Sequence, residues 1–143
     1  MSHHLFTSFK NFFEDFSPAK FTALEDIYTD DVHFIDPITD VQGIDALKKH
    51  FISTGQGLIQ CHFNFISEVF MGNKATLEWE MVYAHPKLAS GKLLHLSGCS
   101  VIAFNDEQRI HYHRDYYDMG EMVYEHIFLL GGGIQLIKKR LIS

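Results

Sequence analysis

The stretch that decides the fold is His111-Tyr112-His113-Arg114-Asp115-Tyr116-Tyr117-Asp118, which follows an apolar run and a turn signal. Its alternation predicts a β-strand whose two faces differ in chemistry. One face carries His111, His113, Asp115 and Tyr117. Imidazoles, a carboxylate and a phenol are not typical of a packed core, so this face predicts a pocket or an interface.

Three further strand-like segments precede this stretch. Side chains alternate along residues 61–70, 75–85 and 92–104, and turn residues such as Gly72-Asn73 and Pro86 separate these segments. Short loops between alternating runs are typical of antiparallel hairpins. Together with residues 109–118, the segments predict a four-stranded antiparallel meander.

The first third of the chain has a helical pattern. Phe9, Phe13 and Phe16 recur at the spacing of one helix face, and Ser17-Pro18 then breaks the pattern. Proline favours the first turn of a helix, with the preceding serine as its cap. A second helix is therefore expected from this point, with a buried stripe that ends at Ile27-Tyr28.

The remaining elements complete a mixed fold. A short strand is expected over residues 32–36, and Pro37 stops it. A third helix is expected over residues 44–54, and a final helix from residue 120 that the glycines at 131–133 interrupt. Helices followed by a run of strands predict an α+β fold, with the helices packed on one face of a curved sheet.

Composition narrows the class of protein. The chain has 143 residues, of which 46% are apolar, so one domain over residues 1–143 is the simplest expectation. Its formal net charge of -6 argues against a nucleic-acid partner. No apolar run reaches the length of a membrane span, and the first residues lack a signal-peptide pattern. We therefore expect a cytoplasmic protein that spans no membrane.

The cysteines and histidines do not predict a cofactor. Cys61 and Cys99 show neither metal-motif spacing nor a disulfide framework. A metal site made of His111 and His113 with Asp115 or His33 is an alternative, because same-face residues two apart on a strand lie about 6–7 Å from each other. No metal-binding motif recurs elsewhere in the sequence, so no metal and no cofactor are predicted.

Two motifs and the order of the elements resemble the nuclear transport factor 2-like superfamily, and in particular its SnoaL-like branch. Residues 28–37 resemble the first-strand motif Y-x-D-D-x-x-x-x-D-P, and residues 114–118 resemble the last-strand motif R-D-Y-F-D. The superfamily also includes ketosteroid isomerases and limonene-epoxide hydrolases. The resemblance covers roughly residues 5 to 125 and implies a cone-shaped α+β barrel around an apolar cavity.

The resemblance also implies candidate catalytic residues. Asp115 occupies the place of the acid/base carboxylate on the last strand of SnoaL-like cyclases. Asp36 occupies the place of the base of ketosteroid isomerases, although it could instead cap the turn before Pro37. His113 is expected to orient Asp115 or to relay protons to it. The alternative is that Asp115 simply pairs with a neighbouring histidine and has no role in the cavity.

Several family positions hold different residues here. Phe12 and Ser100 stand roughly where ketosteroid isomerases have their two oxyanion donors, and phenylalanine cannot donate a hydrogen bond. Trp79 and Met81 stand where limonene-epoxide hydrolases have an arginine and an aspartate. The resemblance therefore predicts the cavity but neither of these two reactions. The expected ligand-binding residues are Phe12, Phe34, Trp79, Met81, Tyr83, Ser100, His111 and Tyr117.

The functional hypothesis is a protein that binds a small, largely apolar molecule in the cavity. Its chemistry would be isomerisation, cyclisation or hydrolysis by carboxylate acid/base catalysis. The alternative is a non-catalytic ligand-binding or dimerising module. A homodimer through the outer face of the sheet is expected, with residues 120–143 as a cover for the cavity or as a dimer element. A membrane-surface helix is the other interpretation of this basic C-terminal segment.

Overall fold

One open sheet carries the fold. The structure is a computed structural model that describes residues 3–142, except for the side chains of residues 3–5, 18, 19, 128 and 129. The strands of this range are β1 (Tyr28–Ile35), β2 (Asp40–Gln42), β3 (Gln60–Met71), β4 (Lys74–Ala84), β5 (Leu94–Phe104) and β6 (Ile110–Tyr117). Their order is β2-β1-β6-β5-β4-β3. The predicted α+β class and the meander of β3 to β6 are confirmed.

Helices cover the inner face of the sheet and continue beyond its last strand. The helices of the described range are α1 (His3–Glu14), α2 (Leu24–Ile27), α3 (Ile44–Gly55), α4 (Met119–Met122) and α5 (Phe128–Ile142). Three short 3₁₀ helices span Pro18–Ala23, Ala89–Gly91 and Tyr124–His126. The expected second helix is therefore a 3₁₀ turn followed by one α-helical turn.

Aromatic side chains form the core between the helices and the sheet. Phe12 and Phe13 on α1 are buried, and the Phe12 ring lies 5.9 Å from that of Phe51 on α3. Phe13 contacts Phe63 on β3 edge to face, with 5.4 Å between the ring centroids. Such aromatic pairs each add about 0.5–1.5 kcal/mol beyond the burial of their area. They fix α1 and α3 against one end of the sheet.

The parallel pairing of β1 with β6 places the two candidate carboxylates side by side. Phe34 pairs with His113 and Ile35 pairs with Arg114. Asp36 follows directly after β1, so its backbone continues this register next to Asp115. Neighbouring strands lie about 4.8 Å apart. The two motifs that are far apart in the sequence therefore meet at one point of the sheet.

A bulge in β6 overturns the predicted orientation of His111. Phe104 pairs with Ile110 and Ala103 pairs with Tyr112, so His111 is an extra residue without a partner on β5. An extra residue shifts the alternation of a strand by one position. His111 is consequently exposed on the outer side. The prediction that it lines the cavity was wrong, whereas residues after the bulge keep the predicted faces.

Two predicted boundaries were also wrong. Tyr28 begins β1 and does not end the buried stripe of a helix. α5 runs through Gly131-Gly132-Gly133 without interruption, and the break lies before it, in the 3₁₀ turn Tyr124–His126. The short strand β2, which pairs with the end of β1, was not predicted. Three residues are too few to carry an alternation signal.

We expect alanine at Gly98 and at Gly132 to change stability in opposite directions. A Cβ at Gly98 would collide with the indole of Trp79, its cross-strand partner, whereas a Cβ at Gly132 on α5 meets open space. Gly98→Ala should therefore lower the free energy of unfolding by about 1–3 kcal/mol. Gly132→Ala should leave it unchanged or raise it by up to about 1 kcal/mol. Urea unfolding of both variants measures the difference, and equal effects would contradict the packing of Trp79 on Gly98.

Candidate active site

A cavity of about 370 Å³ opens on the inner face of the sheet. Its wall is largely apolar and includes Phe13, Phe34, Phe51, Phe63, Trp79 and Met81. Four polar side chains of this wall carry the argument below, Asp36, His50, Asp115 and Tyr117, and Thr54, Tyr83, His85 and Lys87 line it as well. An apolar cavity with a few polar groups is the usual form of a site for a small organic molecule.

Asp115 is held from behind by a buried hydrogen-bond network. Its Oδ1 lies 2.6 Å from Nε2 of His113 and accepts a hydrogen bond of 2.5 Å from the Ser100 hydroxyl. Trp79 Nε1 donates to Ser100 Oγ at 2.8 Å. The Tyr28 hydroxyl lies 2.8 Å from Nδ1 of His113. This chain of contacts fixes the carboxylate in one orientation.

The hydrogen-bond partners in this network indicate which of its atoms carry a proton. Because an indole N–H only donates, Ser100 must give its own proton to Asp115. Tyr28 is fully buried, and among the described residues its hydroxyl contacts only His113. The phenol is therefore satisfied when it donates to Nδ1 of a neutral imidazole. Nε2–H of His113 then donates to Oδ1 of Asp115, whose Oδ2 takes no hydrogen bond from the described chain.

Asp36 forms a second pair with a histidine. Its Oδ1 accepts hydrogen bonds of 2.8 Å from the backbone N–H groups of Ile38 and Thr39. Its Oδ2 lies 3.0 Å from Nε2 of His50 on α3. The side chains of Asp36 and His50 are only 7% and 11% exposed, so the pair is shielded from bulk water. Asp36 therefore both caps the turn that follows β1 and lines the cavity.

Two phenols line the cavity, Tyr117 beside the two carboxylates and Tyr83 at the opposite side. Burial, and then the Asp36 and Asp115 carboxylates, raise the pKa of Tyr117 well above its usual value. The phenol stays protonated, and its hydroxyl has no hydrogen-bond partner among the described residues. Burial, followed by Glu121 and Cys61, raises the pKa of Tyr83 to about 12. The Tyr83 hydroxyl donates to the backbone oxygen of Met122, which holds α4 against the cavity.

A sequence family matches most of this chain. The family described as "SnoaL-like domain" matches residues 9–113. The chain belongs to the SnoaL-like family. No curated protein matches its sequence.

Solved structures share the fold of this SnoaL-like protein. A protein with a ketosteroid isomerase-like fold from Catenulispora acidiphila, in complex with trimethylamine, has a TM-score of 0.74 at 15% identity and covers 90% of this chain and 95% of its own. A proposed polyketide cyclase from Xanthomonas campestris has a TM-score of 0.71 at 14% identity, with 84% and 92% covered. A proposed SnoaL-like polyketide cyclase from Jannaschia has a TM-score of 0.68 at 11% identity, with 80% and 85% covered.

The residues expected to bind a ligand in this SnoaL-like protein separate into two groups. Seven of the predicted site residues line the cavity together: Phe34, Asp36, Trp79, Met81, Tyr83, Asp115 and Tyr117. Phe12, Ser100, His111 and His113 do not line it. Phe12 is buried among the helices, where its ring meets that of Phe51, and the neighbouring Phe13 reaches the cavity instead. Ser100 and His113 are buried behind Asp115.

Two residues of the candidate site, Tyr28 and His50, were not predicted from the sequence. Tyr28 was assigned to a helix, which concealed that it shares a strand with Phe34 and lies next to His113. His50 follows Leu47 by three residues and precedes Thr54 by four, a spacing that places it on the edge of the inward helix face. That spacing was the available signal, but a histidine beside an apolar stripe is weak evidence for a site.

The metal alternative is not supported by the placement of its residues. His111 lies on the outer side of the sheet and His113 on the inner side, so they do not converge. Among residues 3–142 as described, no group of three His, Cys, Asp or Glu side chains could hold a metal ion. In the same range, no helix has the length and the apolar character needed to cross a membrane.

The raised pKa of Tyr117 predicts how stability changes with pH. In the unfolded chain tyrosine loses its proton near pH 10, whereas the folded protein keeps it to higher pH. The folded state then binds more protons, so the free energy of unfolding falls as the pH rises above about 10. Tyr117→Phe removes this contribution and should flatten the decline in urea unfolding between about pH 9 and 11. Identical pH slopes for the variant and the wild type would contradict the shift.

Proposed function

We propose that this protein binds a small, largely apolar molecule in the cavity and transfers a proton with Asp115 as the acid/base group. The observation that carries the proposal is the orientation of Asp115. Four side chains fix its Oδ1 side, His113 and Ser100 directly and Tyr28 and Trp79 through them, while among the described residues Oδ2 has no partner. A general base must present its free oxygen to the reacting proton in this way.

The surroundings of Asp115 favour its action as a base. The apolar and aromatic walls limit the water around Asp115, which strengthens electrostatic interactions between this carboxylate and a bound molecule. His113 is sealed behind Asp115, with its side chain 1% exposed, so it positions the carboxylate and does not touch a ligand. When Asp115 takes a proton, the neutral imidazole and Ser100 continue to hold the acid in place.

The ligand class follows from the shape and the polarity of the cavity. Its aromatic wall favours a ring or an aliphatic skeleton, and its polar groups cluster where β1 and β6 end. Two carboxylates at this end disfavour an anionic group on the ligand. The Catenulispora acidiphila neighbour holds trimethylamine, a small molecule with three methyl groups, and supports a ligand of modest size in this fold. Isomerisation, cyclisation and hydrolysis all require the proton transfer proposed here.

We expect Asp115→Asn to abolish most of a proton-abstraction activity. A nitrobenzisoxazole is a suitable probe, because removal of its ring C–H proton opens the ring to a coloured nitrophenolate and needs only a positioned base. The loss in kcat/KM should be at least about a hundredfold, since asparagine cannot accept the proton. The absorbance of the phenolate follows the reaction directly.

Asp40→Asn is the matched control for this experiment. Asp40 also pairs with a histidine, His33, at 2.6 Å, but it is exposed on the surface. The control should keep the activity of the wild type. A wild-type protein that does not accelerate the reaction over free carboxylate, or equal rates for Asp115→Asn and the wild type, would contradict catalysis. Either result would favour the alternative, a non-catalytic ligand-binding module.

The proposed assembly is a homodimer through the outer face of the sheet. Tyr116 is 47% exposed there, and the Arg114 guanidinium lies 4.8 Å from the centre of its ring. A flat, rigid aromatic surface of this kind is typical of the centre of an interface. The cytoplasmic location expected from the sequence stays a prediction.

Two matched substitutions test which surface forms the dimer. Sedimentation should give the wild type twice the mass of one chain, and Tyr116→Asp should shift it towards the monomer because a buried charge is costly. Tyr124→Asp, at a similarly exposed tyrosine outside the sheet, should leave the dimer intact. A monomeric wild type, or dissociation by Tyr124→Asp alone, would contradict the sheet interface.

A further inference from the structure

We propose that His50 is a second catalytic residue, a general acid that protonates the substrate oxygen while Asp115 removes a proton from carbon. The inference rests on the proposed function and deepens it. It assigns the His50–Asp36 pair a chemical role and it narrows the substrate to a compound whose acidic C–H lies close to an oxygen that receives the electron pair.

Two aspartate–histidine pairs meet at the polar end of the cavity. The aspartate of one pair is the member that reaches the cavity, whereas in the other pair it is the histidine. In the first pair His113 is sealed in the core and Asp115 faces the cavity. In the second pair Asp36 is fixed by two backbone N–H groups and its other oxygen is occupied by His50. Both oxygens of Asp36 therefore already accept hydrogen bonds from the protein, whereas Oδ2 of Asp115 accepts none from the described residues. The member of the second pair that is free to react is the imidazole.

The Nδ1 atom of His50 is open to a ligand. Among the described residues no hydrogen bond reaches it, and every fully buried side-chain nitrogen or oxygen has a partner. An atom without a partner must therefore adjoin accessible space, and His50 lines the cavity. Its ring packs against Phe34 at 5.5 Å and Phe51 at 5.9 Å, measured between centroids, so its orientation is restrained.

The register of the sheet brings this imidazole close to the base. Asp36 continues β1 next to Asp115 on β6, because Phe34 and Ile35 pair with the two residues before it. His50 contacts Asp36 directly. Tyr117, whose phenol both carboxylates influence, lies at the same end. A substrate that places a C–H at Asp115 would thus have its neighbouring oxygen within reach of His50.

The charges at this end complement such a reaction. The Asp36 carboxylate accepts Nε2–H of His50, and in the proposed step Nδ1–H of the same ring faces the cavity. The other titratable groups of the wall are His85, Lys87, Cys61 and the two tyrosines Tyr83 and Tyr117, and burial raises the pKa of the Cys61 thiol to about 12. Tyr83 is occupied by its bond to Met122, and Lys87 is exposed.

The proposed step balances without an added reactant. Asp115 takes the proton from carbon, and the electron pair of the C–H bond moves towards the oxygen, as an enol forms or as a C–O or N–O bond breaks. The oxygen receives the Nδ1 proton of His50. Asp115 ends as the neutral acid and His50 as the neutral imidazole, and a proton passes back from one to the other through solvent. Enolisable ketones and β-hydroxy carbonyl compounds are the substrate classes that fit.

The test compares two benzisoxazoles with different leaving groups. The nitro-substituted compound releases a stable phenolate that needs no proton, whereas the unsubstituted compound releases a basic phenolate that does. His50→Gln keeps an N–H donor for Asp36 but has no proton to transfer. We expect it to lower kcat for the unsubstituted compound at least about tenfold more than for the nitro compound, because general-acid catalysis matters only for the poor leaving group.

The controls separate this inference from the proposed function. His33→Gln alters the exposed histidine–aspartate pair and should slow neither compound. Asp36→Asn is a second variant that keeps His50 and removes the carboxylate that positions it. It should also slow the unsubstituted compound more than the nitro compound, but by a smaller factor than His50→Gln does. Equal slowing of both compounds by His50→Gln would overturn the role of His50 and leave Asp115 as the base. If Asp115→Asn converts both compounds as fast as the wild type, the proposed function itself is overturned.

Discussion

The hydrogen bond between His113 and Asp115 is the contact on which the rest of the site depends. It joins a residue that is 1% exposed to one that borders the cavity. Removal of the Asp115 carboxylate would leave Nε2 of His113 buried without a partner, at a cost of about 1–3 kcal/mol. Nδ1 of the same imidazole pairs with the Tyr28 hydroxyl, and because Tyr28 begins β1 and His113 lies in β6, this second hydrogen bond joins the two strands whose ends position the candidate carboxylates.

The topology explains why a cavity exists at this place. α1 and α3 supply phenylalanines that fill one part of the inner face of the sheet, and Tyr83 fastens α4 at the other side through Met122. The space that remains is bordered by rings on most sides and by four polar groups where β1 and β6 end. Parallel pairing of these strands brings Asp36 and Asp115 together, so the polar end of the cavity is a direct result of the strand order.

The sequence predicted the features that depend on repetition along the chain. Alternation over the four meander strands, and the two motifs around Asp36 and Asp115, placed most of the cavity wall correctly. It did not predict the bulge at His111, because an extra residue is visible only in the pairing with β5. Local apolar spacing assigned Tyr28 to a helix, whereas its pairing with Ile110 makes it a strand residue. Tertiary contacts outweighed local preference at both positions.

His50 and α5 show two other limits of the sequence. The role of His50 depends on its contact with Asp36, fourteen positions away, which no local pattern encodes. The glycines of α5 suggested a break, since each costs about 1 kcal/mol relative to alanine. Among the described residues, Gly131 is buried against the backbone of Glu125, and Lys138 pairs with the Glu125 carboxylate at 2.6 Å. These contacts support the helix across a sequence that disfavours it.

The protonation of His113 tests the central claim most directly, because the orientation of Asp115 follows from it. Nitrogen-15 NMR of the histidine side chains distinguishes a ring nitrogen that carries a proton from one that does not. At neutral pH we expect a neutral His113 with its proton on Nε2, facing Asp115, and a bare Nδ1 that accepts from Tyr28. A proton on Nδ1, in either the other neutral tautomer or the imidazolium, would show that the hydrogen bonds around Asp115 run in another direction.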